Sequence, residues 1–252
     1  MSHGYRLPLR MAVEATVIRM PAPATLIVAT WNIHGGIGID GRYSSARIVE
    51  VLNELDADIV ALQEVASPEA HENFLHEIER ETGYHVAAGL LRQRVGSDFG
   101  NAVLSRYAFS EISRLDLAVR DYEPRGALDV CITVSTRQVL RVIGTHLGLR
   151  PRERREQVRR LIGAIERQVP HPTVLMGDLN EWYLWGRPLR WLHTHFREVP
   201  TAPRTFPSWR PMFALDRIWV SPAGRLRRLA RHASPLARMA SDHLPLKAEI
   251  VV

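Results

Sequence analysis

Eight polar residues stand beside short apolar runs in this chain: Asn32, Glu64, His146, Asp178, Asn180, Asp216, Asp242 and His243. They comprise four carboxylates, two histidines and two amides. Loops at strand ends are where functional side chains collect. Four carboxylates brought to one place repel unless a cation or a histidine neutralises them. Hard oxygen donors with few nitrogens suit Mg²⁺ or Mn²⁺ better than zinc. Magnesium often takes one or two protein carboxylates plus phosphate oxygens of a substrate. The remaining groups are then free for proton transfer and phosphate binding. Each residue alone also has an ordinary reading. Asn32 fits a turn, Glu64 a helix start and His146 a partly buried histidine. Asp178 and Asn180 are spaced to face one side of an extended strand, and equally fit an Asx turn. Asp242-His243 fits a helix cap with a neighbour. Their joint placement is what points to chemistry.

The runs that must position these residues are β-branched and bounded by turn residues, the pattern of buried strands. They are Thr25–Thr30, Asp58–Leu62, Asn101–Leu104, Val139–Gly144, Thr173–Met176, Leu215–Val220 and Leu244–Val252. Between them, helical spacing of apolar residues predicts helices within Tyr43–Leu55, Pro68–Thr82 and Pro151–Gln168. The stretch Leu128–Leu140, with Arg137-Gln138 in a turn, predicts an antiparallel pair. Strands mixed with helices along one chain predict a layered α/β or α+β domain with two mixed sheets packed face to face and helices outside. The segment Glu181–Met212 is rich in tryptophan and proline and weakly periodic. It predicts an irregular, partly helical excursion that stacks a base, enters a lipid interface or covers the core.

The chain has 252 residues, 46% hydrophobic and 24% charged, which excludes disorder, collagen-like repeats or a coiled coil as descriptions of the whole. One domain over 1–252 is expected, with 1–24 as a possible N-terminal extension. Cys131 stands alone, so no intrachain disulfide forms. No uninterrupted apolar stretch is long enough for a membrane span, and residues 1–24 lack a convincing signal-peptide pattern. A cytoplasmic monomer without an obligate protein partner is expected. The net charge of +6 suits an anionic partner such as nucleic acid, a phosphoester or a membrane surface. All the basic residues except Lys247 are arginine, so a coding bias would give the same excess.

The motifs TWNIHGG (Asn32), LQEV (Glu64), GNAVLSR (Asn101), THLGL (His146), GDLNEW (Asp178, Asn180), LDRIWVS (Asp216) and SDHLPL (Asp242, His243) together resemble the endonuclease/exonuclease/phosphatase family. The likeness runs from residue 29 to 250, and is strongest to small single-domain bacterial members. It implies a four-layered α/β sandwich of the DNase I type and divalent-metal-dependent phosphoester hydrolysis. By resemblance, Glu64 is the main metal ligand, with Asn32 and Asp242 close to the ion. Asp178 orients or deprotonates the attacking water, and Asn180 holds a phosphate oxygen. His243, steadied by Asp216, faces the scissile phosphate, and His146 is a second histidine on it. Asn101 and Arg125 are expected on the substrate. His34 departs from the AP endonuclease-type members, which resemble one another in an aspartate there. The expected substrate is a phosphodiester, from nucleic acid or from a phospholipid or other small molecule. A non-catalytic nucleic-acid or membrane-binding module with the same fold is the alternative. Arg150, Arg152, Arg154 and Arg155 are expected on a solvated helix face.

Overall fold

The structure, a computed structural model, describes residues 25–68, 74–94, 97–120, 122–136, 138–168 and 171–252. The expected extension 1–24 and part of the helical pattern after Pro68 lie outside them. Along the chain come β1 (Thr25–Asn32), a 3-10 turn (His34–Gly36), α1 (Ser45–Leu55), β2 (Ile59–Pro68), α2 (Phe74–Thr82), β3 (His85–Arg94), β4 (Ser97–Ser105) and β5 (Phe109–Asp116). There follow β6 (Gly126–Ser135), β7 (Gln138–His146), α3 (Pro151–Glu166), β8 (Thr173–Asp178), α4 (Arg187–Phe196), β9 (Asp216–Ser221), β10 (Leu226–Arg231), α5 (Pro235–Ala240) and β11 (Leu246–Val251).

The strands form two mixed sheets, ordered β10-β11-β1-β2-β4-β3 and β5-β6-β7-β8-β9. The pairs β1/β2 and β7/β8 are parallel and the others antiparallel. Val28, Ile59, Ala61 and Val103 of the first sheet meet Leu128, Val142, Val174 and Ile218 of the second in a shared apolar layer. Ile48, Leu52 and Leu55 of α1, Ile78 of α2 and Ala237 of α5 pack on the other face of the first sheet. Val158 and Leu161 of α3 and Leu189, Leu192 and Phe196 of α4 cover the outer face of the second. The result is the expected four-layered sandwich.

Local chemistry sets the ends of these elements. Ser44 caps α1 by accepting from Arg47 N–H, and Asp56 closes it in the left-handed region. Pro151 begins α3, where its missing N–H costs nothing. The pair predicted over Leu128–Leu140 is the β6–β7 hairpin. One expectation needs correction. Pro68 belongs to the end of β2, paired with Ser97 of β4, rather than to a helix. The excursion after Glu181 is partly helical, as expected: it contains α4, whose apolar face is buried. Among the described residues, no helix is long and apolar enough to cross a membrane.

Candidate active site

The parallel pair β7/β8 aligns His146 with Asp178 at neighbouring strand ends. Their approach requires Gly177: a Cβ there would lie 1.9 Å from the Thr145 carbonyl oxygen, in a backbone conformation (φ +154°) that side chains disfavour. Glu64 sits where the β2–β4 register shifts between Leu62 and Val65. It adopts a positive φ of 54°, so a bulge rather than plain strand alternation aims it. Asp178 ends β8, and its Oδ1 accepts from Asn180 N–H at 2.8 Å. The Asx-type turn is therefore present, and it replaces the extended geometry offered for these two residues. Both side chains still reach the cluster.

Asn32 clamps the acids. Its Nδ2 donates to Glu64 Oε1 (2.8 Å) and Asp178 Oδ2 (3.2 Å), while its Oδ1 accepts from His34 N–H (3.0 Å). Asn32 thus turns its nitrogen, not its oxygen, toward the carboxylates. Burial pushes the Glu64 carboxyl above its ordinary range, the charges of Asp178 and Asp242 push it further, and the Asn32 bond opposes them. Glu64 and Asp242 are therefore close enough to feel one another, as one shared site demands.

The two histidines are held in opposite states. His243 Nδ1 donates to Asp216 Oδ2 (3.0 Å), and its Nε2 lies 3.7 Å from Asp178 Oδ2. Burial pulls this imidazole down, but Asp216 and Asp178 outweigh it and push His243 up to about 10. Burial pushes His146 down to about 3, with the Arg125 charge in support. Arg125 Nη1 lies 3.2 Å from His146 Nδ1. A guanidinium only donates, and the Asn180 amide nitrogen also approaches Nε2 as a donor, so both ring nitrogens face donors, which disfavours the imidazolium. Nε2 lies 3.6 Å from Asp178 and 3.9 Å from Glu64. Asn180 Nδ2 donates to the Leu147 carbonyl at 2.9 Å and lies against His146 Nε2 at 3.0 Å.

Asp178, Asp216 and His243 each offer a ligand atom within 4.8 Å of the others. Asp216 holds Nδ1 of His243 at 3.0 Å and Asp178 lies 3.7 Å from Nε2, so this trio forms a carboxylate–imidazole–carboxylate chain. Of the residues expected at a metal, Asn32 presents its nitrogen to the acids, whereas the carboxylates of Glu64 and Asp242, with Asp178 near Glu64, are hard oxygens that could hold a divalent cation. That donor set fits Mg²⁺ or Mn²⁺.

The cluster rests on residues that sequence reasoning missed. Trp31 donates its indole N–H to the His243 carbonyl (3.0 Å), and Ser241 Oγ donates to the Asn32 carbonyl (2.8 Å). Thr205 donates to Asp216 Oδ2 (2.5 Å), and Ser208 N–H to the Asp242 carbonyl (2.6 Å). Phe206 packs its ring 4.8 Å from that of His243. Asn101 stands apart from the cluster: buried on β4, it donates to the Gly126 carbonyl (2.9 Å), behind Arg125. Arg154 overturns the solvated-face expectation. It is 2% exposed and pairs with buried Glu181 at 3.2 Å.

Two face-packed mixed sheets with acids and imidazoles at neighbouring strand ends define the DNase I-like class, whose members are generally phosphoester hydrolases and commonly use divalent metals. The profile of the Endonuclease/Exonuclease/phosphatase family matches residues 29–243, and the chain belongs to that family. It is 34% identical to the uncharacterized protein YbhP of Escherichia coli (strain K12), over 88% of this chain and 95% of that one. The endonuclease/exonuclease/phosphatase structure from Beutenbergia cavernae superposes with a TM-score of 0.76 at 27% identity, covering 90% of this chain and 72% of that one. D. rerio TDP2, complexed with a single-strand DNA product, shares the fold at a TM-score of 0.68 and 17% identity, over 91% and 100% of the two chains.

The opposed histidines predict a pH dependence for the metal-free protein. His243 has a raised folded value, so its contribution is complete below about pH 6.5 and is lost as pH rises toward 10. His146 has a depressed folded value, so its contribution is present above about 6.5 and is lost as pH falls toward 3. Urea unfolding in EDTA across this range should show greatest stability near neutrality. His243→Asn should flatten the alkaline limb, and an unchanged alkaline limb would refute the assignment.

Proposed function

We propose that this protein is a divalent-metal-dependent phosphodiesterase that uses water as its nucleophile. The observation that carries the reading is geometric: two buried imidazoles place their Nε2 atoms 3.6 Å and 3.7 Å from the same buried carboxylate, Asp178, beside Glu64. Groups whose environments push their pKa values apart are suited to separate acid and base roles.

Asp178 accepts the proton of the attacking water, and its orientation is set by the Asn180 N–H and the Asn32 amide. The His243 imidazolium stabilises charge on the phosphoryl oxygens, and Asp216 keeps it protonated and aimed. His146, held neutral between Arg125 and Asn180, faces the same oxygens. Asn180 and the cationic Arg125 complete the phosphate side. Glu64 and Asp242, with Asp178 beside them, would hold Mg²⁺ or Mn²⁺, and Asn32 would brace them. When bound, the metal supplies Lewis-acid polarisation of a phosphoryl oxygen.

The test is a hydrolysis screen with Mg²⁺, Mn²⁺ or EDTA, run beside Glu64→Gln. Bis-p-nitrophenyl phosphate, plasmid DNA, single-stranded DNA, RNA and mixed phospholipids are the substrates. We expect metal-dependent cleavage, with Glu64→Gln raising the metal concentration for half-activity by about tenfold or more. Folded, metal-supplied protein that cleaves none of them would overturn the reading.

A further inference from the structure

Exposed apolar side chains crowd the loops that leave the site. Trp182, Tyr183, Leu184 and Trp185 begin two residues after Asn180 and are all exposed, Leu184 by 63% and Trp185 by 72%. Four consecutive exposed apolar residues on a folded chain need a function to explain them. Leu149, also exposed, follows His146 by three residues. Its carbonyl accepts from Arg154, whose partner Glu181 also accepts from Tyr183 N–H, so the two loops are tied together. On the other side, Trp182 packs on Phe206 and Phe213. Exposed Met212 bonds through its backbone to Phe206, the residue that touches His243.

Charge borders this apolar rim. Arg150, Arg152, Arg187 and Arg190 are exposed at the starts of α3 and α4, whereas the nearby acids Glu153 and Glu181 are buried. Glu123, half-exposed beside Leu149, is paired with Arg125 at 2.8 Å. A cleft of about 430 Å³ opens between the starts of α3 and α4, lined among others by Arg155, Tyr183, Trp185, Arg187 and Arg190.

We propose that this rim docks the protein on an anionic phospholipid surface, with the active site facing the headgroups. The proposal rests on the phosphodiesterase reading only for what the site does once docked. A single-stranded nucleic acid would use aromatic faces for stacking. Leu149, Leu184 and Met212 have no such faces, yet they enter the headgroup–acyl boundary readily, alongside tryptophan and tyrosine. The bordering arginines match anionic headgroups. Docking would place membrane-borne phosphodiesters at the mouth of the site.

Co-sedimentation of the full-length protein with vesicles tests this. One set contains equal parts phosphatidylglycerol and phosphatidylcholine, and the other phosphatidylcholine alone. We expect binding to the first set. Leu184→Asp with Trp185→Ser should lower it by about tenfold or more, and Arg187→Glu by about fivefold or more. Hydrolysis of soluble bis-p-nitrophenyl phosphate should be unchanged in both variants. No vesicle binding by the native protein, or equal binding by the Leu184/Trp185 variant, would overturn docking. Binding of a single-stranded oligonucleotide that the same variant loses, without vesicle binding, would assign the rim to nucleic acid. Vesicle binding without cleavage of the vesicle lipids, the soluble diester or any other substrate of the screen, metal supplied, would overturn the phosphodiesterase reading and leave docking standing.

Discussion

Asp178→Asn should lower phosphodiester turnover by about 10²–10⁴-fold while the protein stays folded. The side chain is 1% exposed and accepts from Asn180 N–H and the Asn32 amide, with the Nε2 atoms of His146 and His243 at 3.6 Å and 3.7 Å. An amide of the same shape keeps the volume but loses the charge and the capacity to take a proton from water. It also turns an N–H₂ toward groups that are themselves donors. The loss of one negative charge near Glu64 relieves repulsion, which offsets part of that mismatch. Thermal unfolding should therefore change far less than turnover, the usual separation at a site built for function. Steady-state hydrolysis of a soluble diester at saturating metal is the measurement. A variant within threefold of native turnover would remove Asp178 from the chemistry.

Arg141→Met should produce the largest loss of stability, with the site left chemically complete. Arg141 lies on β7, 2% exposed, and grips Asp129 of β6 through two bonds, Nε to Oδ1 at 2.8 Å and Nη2 to Oδ2 at 2.5 Å. Its guanidinium also donates to the Ile165 carbonyl at 3.2 Å, near the end of α3. The methionine leaves Asp129 buried without its partner and strips donors from the last turn of a helix. Breaking a buried pair on one side costs about 3–5 kcal/mol. At this chain length that corresponds to a fall in Tm of about 10 °C. Adding Asp129→Leu should recover much of it, because an apolar pair of similar volume can replace a buried ion pair. Failure of the double variant to improve on the single one would show that the contact to α3 matters more than the pair.

Part of this architecture was legible residue by residue. The strand runs ending in Asn32, Glu64, His146 and Asp178 are central in their sheets, buried on both faces, and so read as continuous apolar stretches. The strands that sequence periodicity did not single out, β3, β5 and β10, all lie at sheet edges. Leu226–Arg231 carries three arginines and pairs only with β11, so its composition resembles a loop. Arg154 read as solvated because its neighbours Arg152 and Arg155 face outward. Its burial depends on Glu181, far away in sequence on the excursion. The tryptophans divided in the same way: Trp31 and Trp219 are core, while Trp182, Trp185 and Trp209 are exposed.

The order of motifs from Asn32 to His243 was enough to identify the family and the layered fold, and it named the acids and imidazoles that the structure brings together. Those properties follow from residue type and local spacing, which a linear chain displays. The working state of each group came only with the tertiary structure. Asn32 turned its nitrogen to the acids because Asp178, 146 residues away, offered an acceptor. Glu64 was aimed by a bulge against β4. The two histidines separated, one near 3 and one near 10, because one was buried against Arg125 and the other between two carboxylates. Protonation follows burial and neighbouring charge, and at this site those neighbours are brought together from distant parts of the chain.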